Sequence, residues 1–307
     1  MKPGHTPVLE STAIEALKVR PEGTYIDCNL GQGGHASSIL QAAYPRPRLL
    51  GIDLDPEAVK ASSQRLEQYN SQSILIQGNF ANLDTYARDY GFLEADGVLF
   101  DLGLSSVQLE NDYRGFSFKR KARLDMRFDT TQDLTAYQII NEYPERKLAD
   151  LIFELGEETK SRQIAHAIVS KRPIETTTDL AYLIGGIVKK SAHSKIHPAT
   201  KTFQAIRMAV NSEMDNLRYG IEKSVDVLKL GGRMVVISYQ SLEDRLVKRI
   251  FQKESKDCIC PVKYIECICN HKSSIKIINR RVIKPEPSEI NNNPRSRSAR
   301  MRIAERI

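Results

Sequence analysis

Short apolar runs alternate with amphipathic stretches through the first third of the chain. Residues 24–30 (TYIDCNL) predict a strand, the glycine-rich 31–34 a turn, and 35–44 (HASSILQAAY) a helix. The beat repeats with a strand over 48–55 (RLLGIDLD) and a helix over 56–70 that Pro56 opens at its first turn. A third strand follows over 73–80 (SILIQGNF), then a helix over 82–92 closed by Gly91, and a fourth strand over 95–105 (ADGVLFDLGLS). Strand and helix in strict alternation imply a parallel sheet with right-handed crossovers and helices on both faces.

That alternation stops at Asp112. From there to about Phe203 only helical periodicity is present, as in Leu148, Leu151, Ile152 and Leu155 at i, i+3, i+4, i+7. The helical pattern continues over 204–230 and is expected to end at Gly231–Gly232. Residues 233–239 (RMVVISY) resume the sheet as a fifth strand. Leu242–Lys253 reads as a helix with Ser241 as its N-cap. Two further strands are expected over 275–283 (IKIINRRVI) and 298–306 (SARMRIAER), joined by a polar, turn-rich link. The predicted organisation is an α/β domain built from 1–112 and 206–307, interrupted by a helical insertion over 113–205.

Composition adds exclusions. With 307 residues, 41% hydrophobic, 27% charged and no Trp, the chain has material for a real core and is neither disordered nor fibrous. No run approaches the roughly 18 apolar residues of a bilayer span. The first residues carry charges and prolines where a secretory signal needs an apolar segment, so a cytoplasmic protein with no membrane partner is expected. Oligomeric state is left open.

Charge placement changes the picture more than its total of +7. Residues 114–127 (RGFSFKRKARLDMR) hold six basic side chains against one acid, and 279–307 hold eight against three, so the remainder of the chain is net negative. Basic residues concentrated in this way suit a polyanion, most simply nucleic acid, or a solubilising surface. Arg114, Lys119, Arg120, Lys121, Arg123, Arg295 and Arg297 are the candidate phosphate contacts.

In an open parallel sheet, ligands bind beyond the carboxyl ends of the strands. Those ends carry Asp27, the loop Gly31-Gln32-Gly33-Gly34 with His35, then Asp53 and Asp55, Asn79 and Phe80, and Asp101. Gly31-x-Gly33-x-x-Ala36 with an acid at Asp53 fits a dinucleotide fingerprint, which both NAD enzymes and S-adenosylmethionine enzymes satisfy. Charge separates the two. A pyrophosphate wants a helix N-terminus with neutral or basic neighbours, whereas acids at three strand ends suit a ligand carrying a sulfonium and an ammonium. S-adenosylmethionine is such a ligand, and its adenine has an apolar neighbour in Phe80. An NAD-dependent oxidoreductase would leave the acids and the basic segments unexplained, and a non-catalytic RNA-binding module would leave the acids so.

Cys28 stands alone, while Cys258, Cys260, Cys267 and Cys269 form CxC-x6-CxC. Two readings stay open for the quartet: a structural zinc site closed by four thiolates, or a hairpin whose alternating cysteines share one face as small apolar residues. His271 follows the quartet as a competing ligand. His193 and His197 do not form a zinc helix, because Lys195 lies between them and Pro198 follows; His197-Pro198 reads as a helix entry, and His166 as a structural histidine in an amphipathic helix.

The ordered segments HTPVL, GQGGH, GIDLDPEA, FDLGLSSVQL, RGFSF, LDMR, HPATKTFQAIR, VNSE, SLEDR and NPRSRSARMRIAER resemble the RsmH (MraW) family of bacterial methyltransferases from about His5 to the last residue. The resemblance implies a class I methyltransferase (Rossmann-like), mostly parallel sheet with a helical insertion. It implies S-adenosylmethionine as methyl donor and N4 of a cytidine in the decoding centre (P site) of 16S rRNA, in the small ribosomal subunit, as acceptor. Carried over by motif, its cofactor contacts fall on Gly33, Gly34, His35, Asp53, Phe80, Asp101 and Gln108. Asp101 is in addition the candidate catalytic residue, accepting a hydrogen bond from the cytosine amino group. The chain departs from the family at Cys28 and Asn29, where a small residue and Thr are usual, and at Gln240, where His is usual.

Overall fold

A computed structural model describes residues 7–104, 113–188, 197–261 and 266–307. The short apolar runs form a seven-stranded sheet of β1 (Thr24–Asp27), β2 (Arg48–Asp53), β3 (Ser73–Gln77), β4 (Ala95–Asp101), β5 (Leu228–Ser238), β6 (Ile275–Ile277) and β7 (Arg300–Arg306). Their order across the sheet is β3-β2-β1-β4-β5-β7-β6; β1 to β5 run parallel, and β7 lies antiparallel to both its neighbours. This is an α/β sheet of mostly parallel strands, as the alternation implied.

Successive side chains on a strand point to opposite faces, and both faces of this sheet are covered. Tyr25, Leu49, Leu99, Val235 and Ile237 pack with Ala13 and Leu17 of α1 (Glu10–Leu17) and Ile39 and Leu40 of α2 (Gly34–Gln41). The alternate residues Ile26, Leu50, Val98, Phe100 and Val236 pack against three other helices. These are α4 (Leu83–Asp89), which follows α3 (Pro56–Arg65), and, later in the chain, Glu213–Val227 and Ser241–Glu254.

The chain divides into two compact units, one of residues 1–103 and 214–307 and the other of 104–213. The second holds α5 (Ala136–Glu142), α6 (Glu145–Gly156), α7 (Ser161–Ser170), α8 (Thr177–Ile187) and α9 (Thr200–Val210) around a core of its own that includes Ile139, Leu148, Ile152, Ile164, Leu180 and Phe203. The two later helices of the first unit are α10 (Glu213–Val227) and α11 (Ser241–Glu254), and α12 (Pro287–Asn292) lies in the tail.

Several boundaries differ from the sequence reading. Helix α10 stops at Val227, and Gly231–Gly232 lie inside β5, where the ladder shifts register between the pairs Ala95–Leu228 and Gly97–Arg233. The glycines break a strand locally instead of ending a helix. Gln240, not Ser241, is the N-cap residue of α11; the Glu243 carboxylate accepts from the Tyr239 and Gln240 amides at 3.0 and 3.1 Å. Strand β6 is only three residues long, and the polar link beyond it holds α12 and a 3-10 turn over Pro294–Ser298. His166 lies on the exposed face of its helix, where its imidazole pairs with Glu145 at 3.3 Å.

Candidate active site

The strand order reverses direction of progression between β1 and β4, and such a switch point opens a crevice at the strand ends. Asp27 ends β1 and Asp101 ends β4, on either side of it. Asp27 is almost completely buried. Its Oδ1 accepts from the Asn29 amide at 3.1 Å, and its Oδ2 has no partner among the described residues. Burial pushes its pKa up to about 7, with Asp101 and Asp53 acting in the same direction and His35 against them. The three carboxylates therefore share one electrostatic neighbourhood.

Asp53 ends β2 and clamps the glycine loop: Oδ2 accepts from the Gly31 amide at 2.8 Å, and Oδ1 from the Asp55 amide at 2.9 Å. Burial raises its pKa to about 6 despite those bonds. Asp55 has a different task. It caps the N-terminus of α3, its carboxylate accepting from the Glu57 amide at 3.0 Å.

The loop after β1 turns through Gly33, which has φ +70° and is the N-cap residue of α2; an L side chain is strained there. At Gly34 a Cβ would lie 2.6 Å from Pro7 Cγ, so the segment ahead of α1 passes directly over the loop and leaves no room for a side chain. His35, buried on α2, places Nε2 3.4 Å from Asp101 Oδ2. Burial works against protonation of His35, but the adjacent Asp101, with Asp27 and Glu10, raises its pKa above the usual value.

Asp101 has a partner that the sequence reading missed. Tyr239, just past β5, donates its hydroxyl to Asp101 Oδ1 at 2.8 Å. Burial and the charge of Asp101 raise the tyrosine pKa, so the phenol stays a donor. Nothing local in the sequence marks Tyr239; only the adjacency of β4 and β5 brings it to Asp101. Phe80 lies in the 3-10 turn that Asn79 caps, and its ring meets Phe100 edge-on with centroids 5.5 Å apart. At 9% exposure most of that ring belongs to the core. Gln108 lies outside the described residues, as does His193.

These residues fit S-adenosylmethionine on chemistry. Buried polar atoms are normally paired, yet Asp27 Oδ2, Asn29 Oδ1 and His35 Nδ1, all at the end of β1 or on the loop and helix that follow it, have no partner among the described residues. The carboxylate and amide oxygens in this group are acceptors, and beside ionisable carboxyls they suit a ligand with cationic and hydroxyl groups.

In the other unit, the basic segment is built as a shelf. Thr177 fixes its backbone, donating from N to Ala122 O at 3.0 Å and from Oγ1 to Arg120 O at 2.8 Å, while Arg123 bridges Thr176. Lys119, Arg120, Lys121 and Arg123 are exposed along it, as are Arg295 and Arg297 in the tail of the first unit. Arg114 is different. It is buried, and its guanidinium donates to the Arg127 and Phe128 carbonyls at 2.8 Å, which makes it a brace of its own fold.

That brace belongs to a set of interlocking motifs. Asn211 accepts from the Phe128 amide at 2.7 Å and donates to Met126 O at 2.8 Å. Arg207 pairs with both oxygens of Glu213 at 2.7 and 2.8 Å, and Phe118 stacks on His197 with centroids 4.5 Å apart. Segments RGFSF, LDMR, HPATKTFQAIR and VNSE thus hold one another in place.

Comparison with known proteins agrees with this geometry. A model of the MraW methylase family matches residues 2–307. The chain is 52% identical over 303 residues to a ribosomal RNA small subunit methyltransferase H of Dehalococcoides mccartyi, covering 99% of this chain and 86% of that one. It is 46% identical to the protein of the same name from Thermomicrobium roseum, covering 99% and 94%.

Proposed function

The chain belongs to the MraW methylase family, and from that premise we propose that it methylates ribosomal RNA of the small subunit, at N4 of a cytidine in the decoding centre (P site) of 16S rRNA. The observation that supports a methyl donor at this site is the group of Asp27, Asp53 and Asp101 carboxylates around the switch point, with unpartnered buried acceptors among them. S-adenosylmethionine, when bound, supplies an electrophilic methyl group on a sulfonium.

The acids hold the donor. Asp53 is positioned at the β2 end, where ribose hydroxyls are received in sheets of this topology, and its backbone bonds fix the carboxylate there. Gly33 turns the loop and Gly34 leaves room for Pro7 over it, so both shape the backbone proposed to meet the ligand; His35 and Asp27 line the loop, and Phe80 and Gln108 complete the proposed cofactor set.

Asp101 acts on the acceptor. The cytosine N4 lone pair is delocalised into the ring, so the enzyme has to hold the amino group in a near-attack position. Tyr239 pins Asp101 through Oδ1, which fixes the carboxylate while leaving it able to accept from the N–H groups of the base. A base within folded RNA has to be splayed out before its amino group can be reached. Lys119, Arg120, Lys121, Arg123, Arg295 and Arg297 are proposed to grip the phosphates around it. A ribosomal substrate accords with the expected cytoplasmic location. Among the described residues no helix is long and apolar enough to cross a membrane.

The test is mass spectrometry of 16S rRNA from cells lacking the chain, complemented with the natural sequence or with Asp101→Asn. Loss of one cytidine methyl, its restoration by the natural chain and its continued absence with the variant are expected. An unchanged methylation pattern in the deletion strain overturns the reading.

A further inference from the structure

We propose that Cys258, Cys260, Cys267 and Cys269 form a closed structural zinc site in the connector between α11 and β6. The four sulfurs lie within 4.8 Å of one another; Cys267 Sγ is 3.5 Å from Cys269 Sγ, and Cys269 Sγ is 3.8 Å from Cys258 Sγ. A tetrahedral ion with Zn–S bonds of about 2.3 Å has sulfur–sulfur edges of about 3.8 Å. The thiols therefore already stand at nearly the separations that such an ion imposes.

Their surroundings exclude the competing reading of small apolar residues on one hairpin face. Cys258 and Cys267 are exposed, Cys260 and Cys269 are half-buried, and the intervening Ile259 and Ile268 are 41% and 66% exposed, so among the described residues neither face of the segment forms a core. The backbone instead turns its donors toward sulfur: the amides of Ile259, Cys260 and Ile268 each approach a cysteine Sγ at 3.4 Å, on Cys269, Cys258 and Cys260 respectively. Amide donors to sulfur offset the negative charge that four coordinating thiolates accumulate, and such outer contacts tune a metal site as much as its ligands do. His271 is engaged elsewhere, with Nε2 3.1 Å from the Lys253 carbonyl, so the ligand set is sulfur only.

The donors set the class of ion, and the closed single-ion geometry selects zinc within it. Four soft thiolates select zinc over the hard cations that oxygen ligands bind, and a site closed by four protein ligands has no open position for a substrate, which makes its role structural. The base of the connector is held by ordinary bonds. Asp257 Oδ1 accepts from Ser273 Oγ at 2.6 Å, and the Ser274 amide donates to Glu254 O at 2.8 Å. Zinc would close the far end of this loop and so order the approach to the three-residue edge strand β6.

The full chain, purified under reducing conditions without added metal, is to be measured by elemental mass spectrometry. It is then stripped with a chelator and reloaded with cobalt(II). One zinc per chain, thiolate-to-cobalt charge-transfer absorption with the d–d bands of a tetrahedral sulfur site, and a melting temperature lowered by stripping are expected. Cys260→Ser and Cys269→Ser should lose the ion while S-adenosylhomocysteine affinity is retained. Metal-free protein with four freely titrating thiols, cysteines found paired as disulfides, or an ion retained in both variants would each overturn the proposal. Methyl-transfer assays do not enter this test, so it stands apart from the proposed function.

Discussion

Asp27 and Asp53 carry carboxyls whose pKa values burial lifts to about 7 and about 6. In an unfolded chain an aspartate titrates near 3.9, so the folded protein takes up these protons more readily than the unfolded one. Between about pH 4 and about pH 7, ionising the two groups therefore costs stability as pH rises. A cationic ligand reverses the preference by favouring the ionised form. S-adenosylmethionine affinity is expected to weaken as pH falls from about 8 to about 5.5, by up to about tenfold per pH unit for each group being protonated. S-adenosylhomocysteine lacks the sulfonium and should respond less. Calorimetry with both ligands across that range checks the difference, which Asp27 alone supplies because Asp53 meets the ribose common to both ligands, and parallel pH responses would show that Asp27 does not face the sulfonium. Residue identity alone marked the acids. Their roles came from burial, which left Asp27 Oδ2 unpartnered and made Asp55 a helix cap.

Helix α10 shows what an element contributes. A Cβ at Gly220 would lie 2.7 Å from Phe80 Cδ2 and 3.1 Å from Phe100 Cε1, so this glycine lets the helix settle against the aromatic pair beside the β3 and β4 ends. Gly220→Ala overpacks that interface and should destabilise the first unit by about 1–3 kcal/mol, with a lower melting temperature and weaker cofactor binding as Phe80 is displaced. A melt identical to that of the natural chain would mean that the helix and the rings relax at no cost. The helical pattern of 204–230 was legible, but its end was not. Glycine pairs terminate many helices, and only pairing with β4 reveals that Gly231–Gly232 sit inside a strand. Ser241 likewise reads as a cap from its type, whereas the Glu243 bonds to the Tyr239 and Gln240 amides set the start one residue earlier.

On the scale of the whole molecule, charge is divided by location. Two segments hold the cationic excess, and the remainder is net negative. If the exposed shelf meets RNA, Lys119→Glu with Lys121→Glu should weaken RNA binding and flatten its salt dependence, by about 0.7–0.9 in logarithmic slope for each phosphate no longer neutralised. Cofactor affinity should be unaffected. Binding measured over a salt series gives the slope, and an unchanged slope would assign these lysines to solvation alone. Arg114 falls outside this group despite its place in the basic run. Its guanidinium serves the Arg127 and Phe128 carbonyls, so Arg114→Ala is a stability variant of its own unit.

By itself the sequence determined the strand–helix alternation, the glycine loop, the acids at strand ends, the basic segments and the cysteine spacing. Each is set by residue type within a short window, where pleat, helical repeat and turn chemistry act. Tertiary structure alone decided which of these meet. Asp27 and Asp101 are neighbours because the crossovers carry β2 and β3 to one side of β1 and return the chain to place β4 on the other. Tyr239 reaches Asp101 because β5 then pairs with β4. Strand order depends on how whole layers bury their apolar faces, and no local pattern encodes that; the chemistry of the crevice is therefore a product of the sheet's winding.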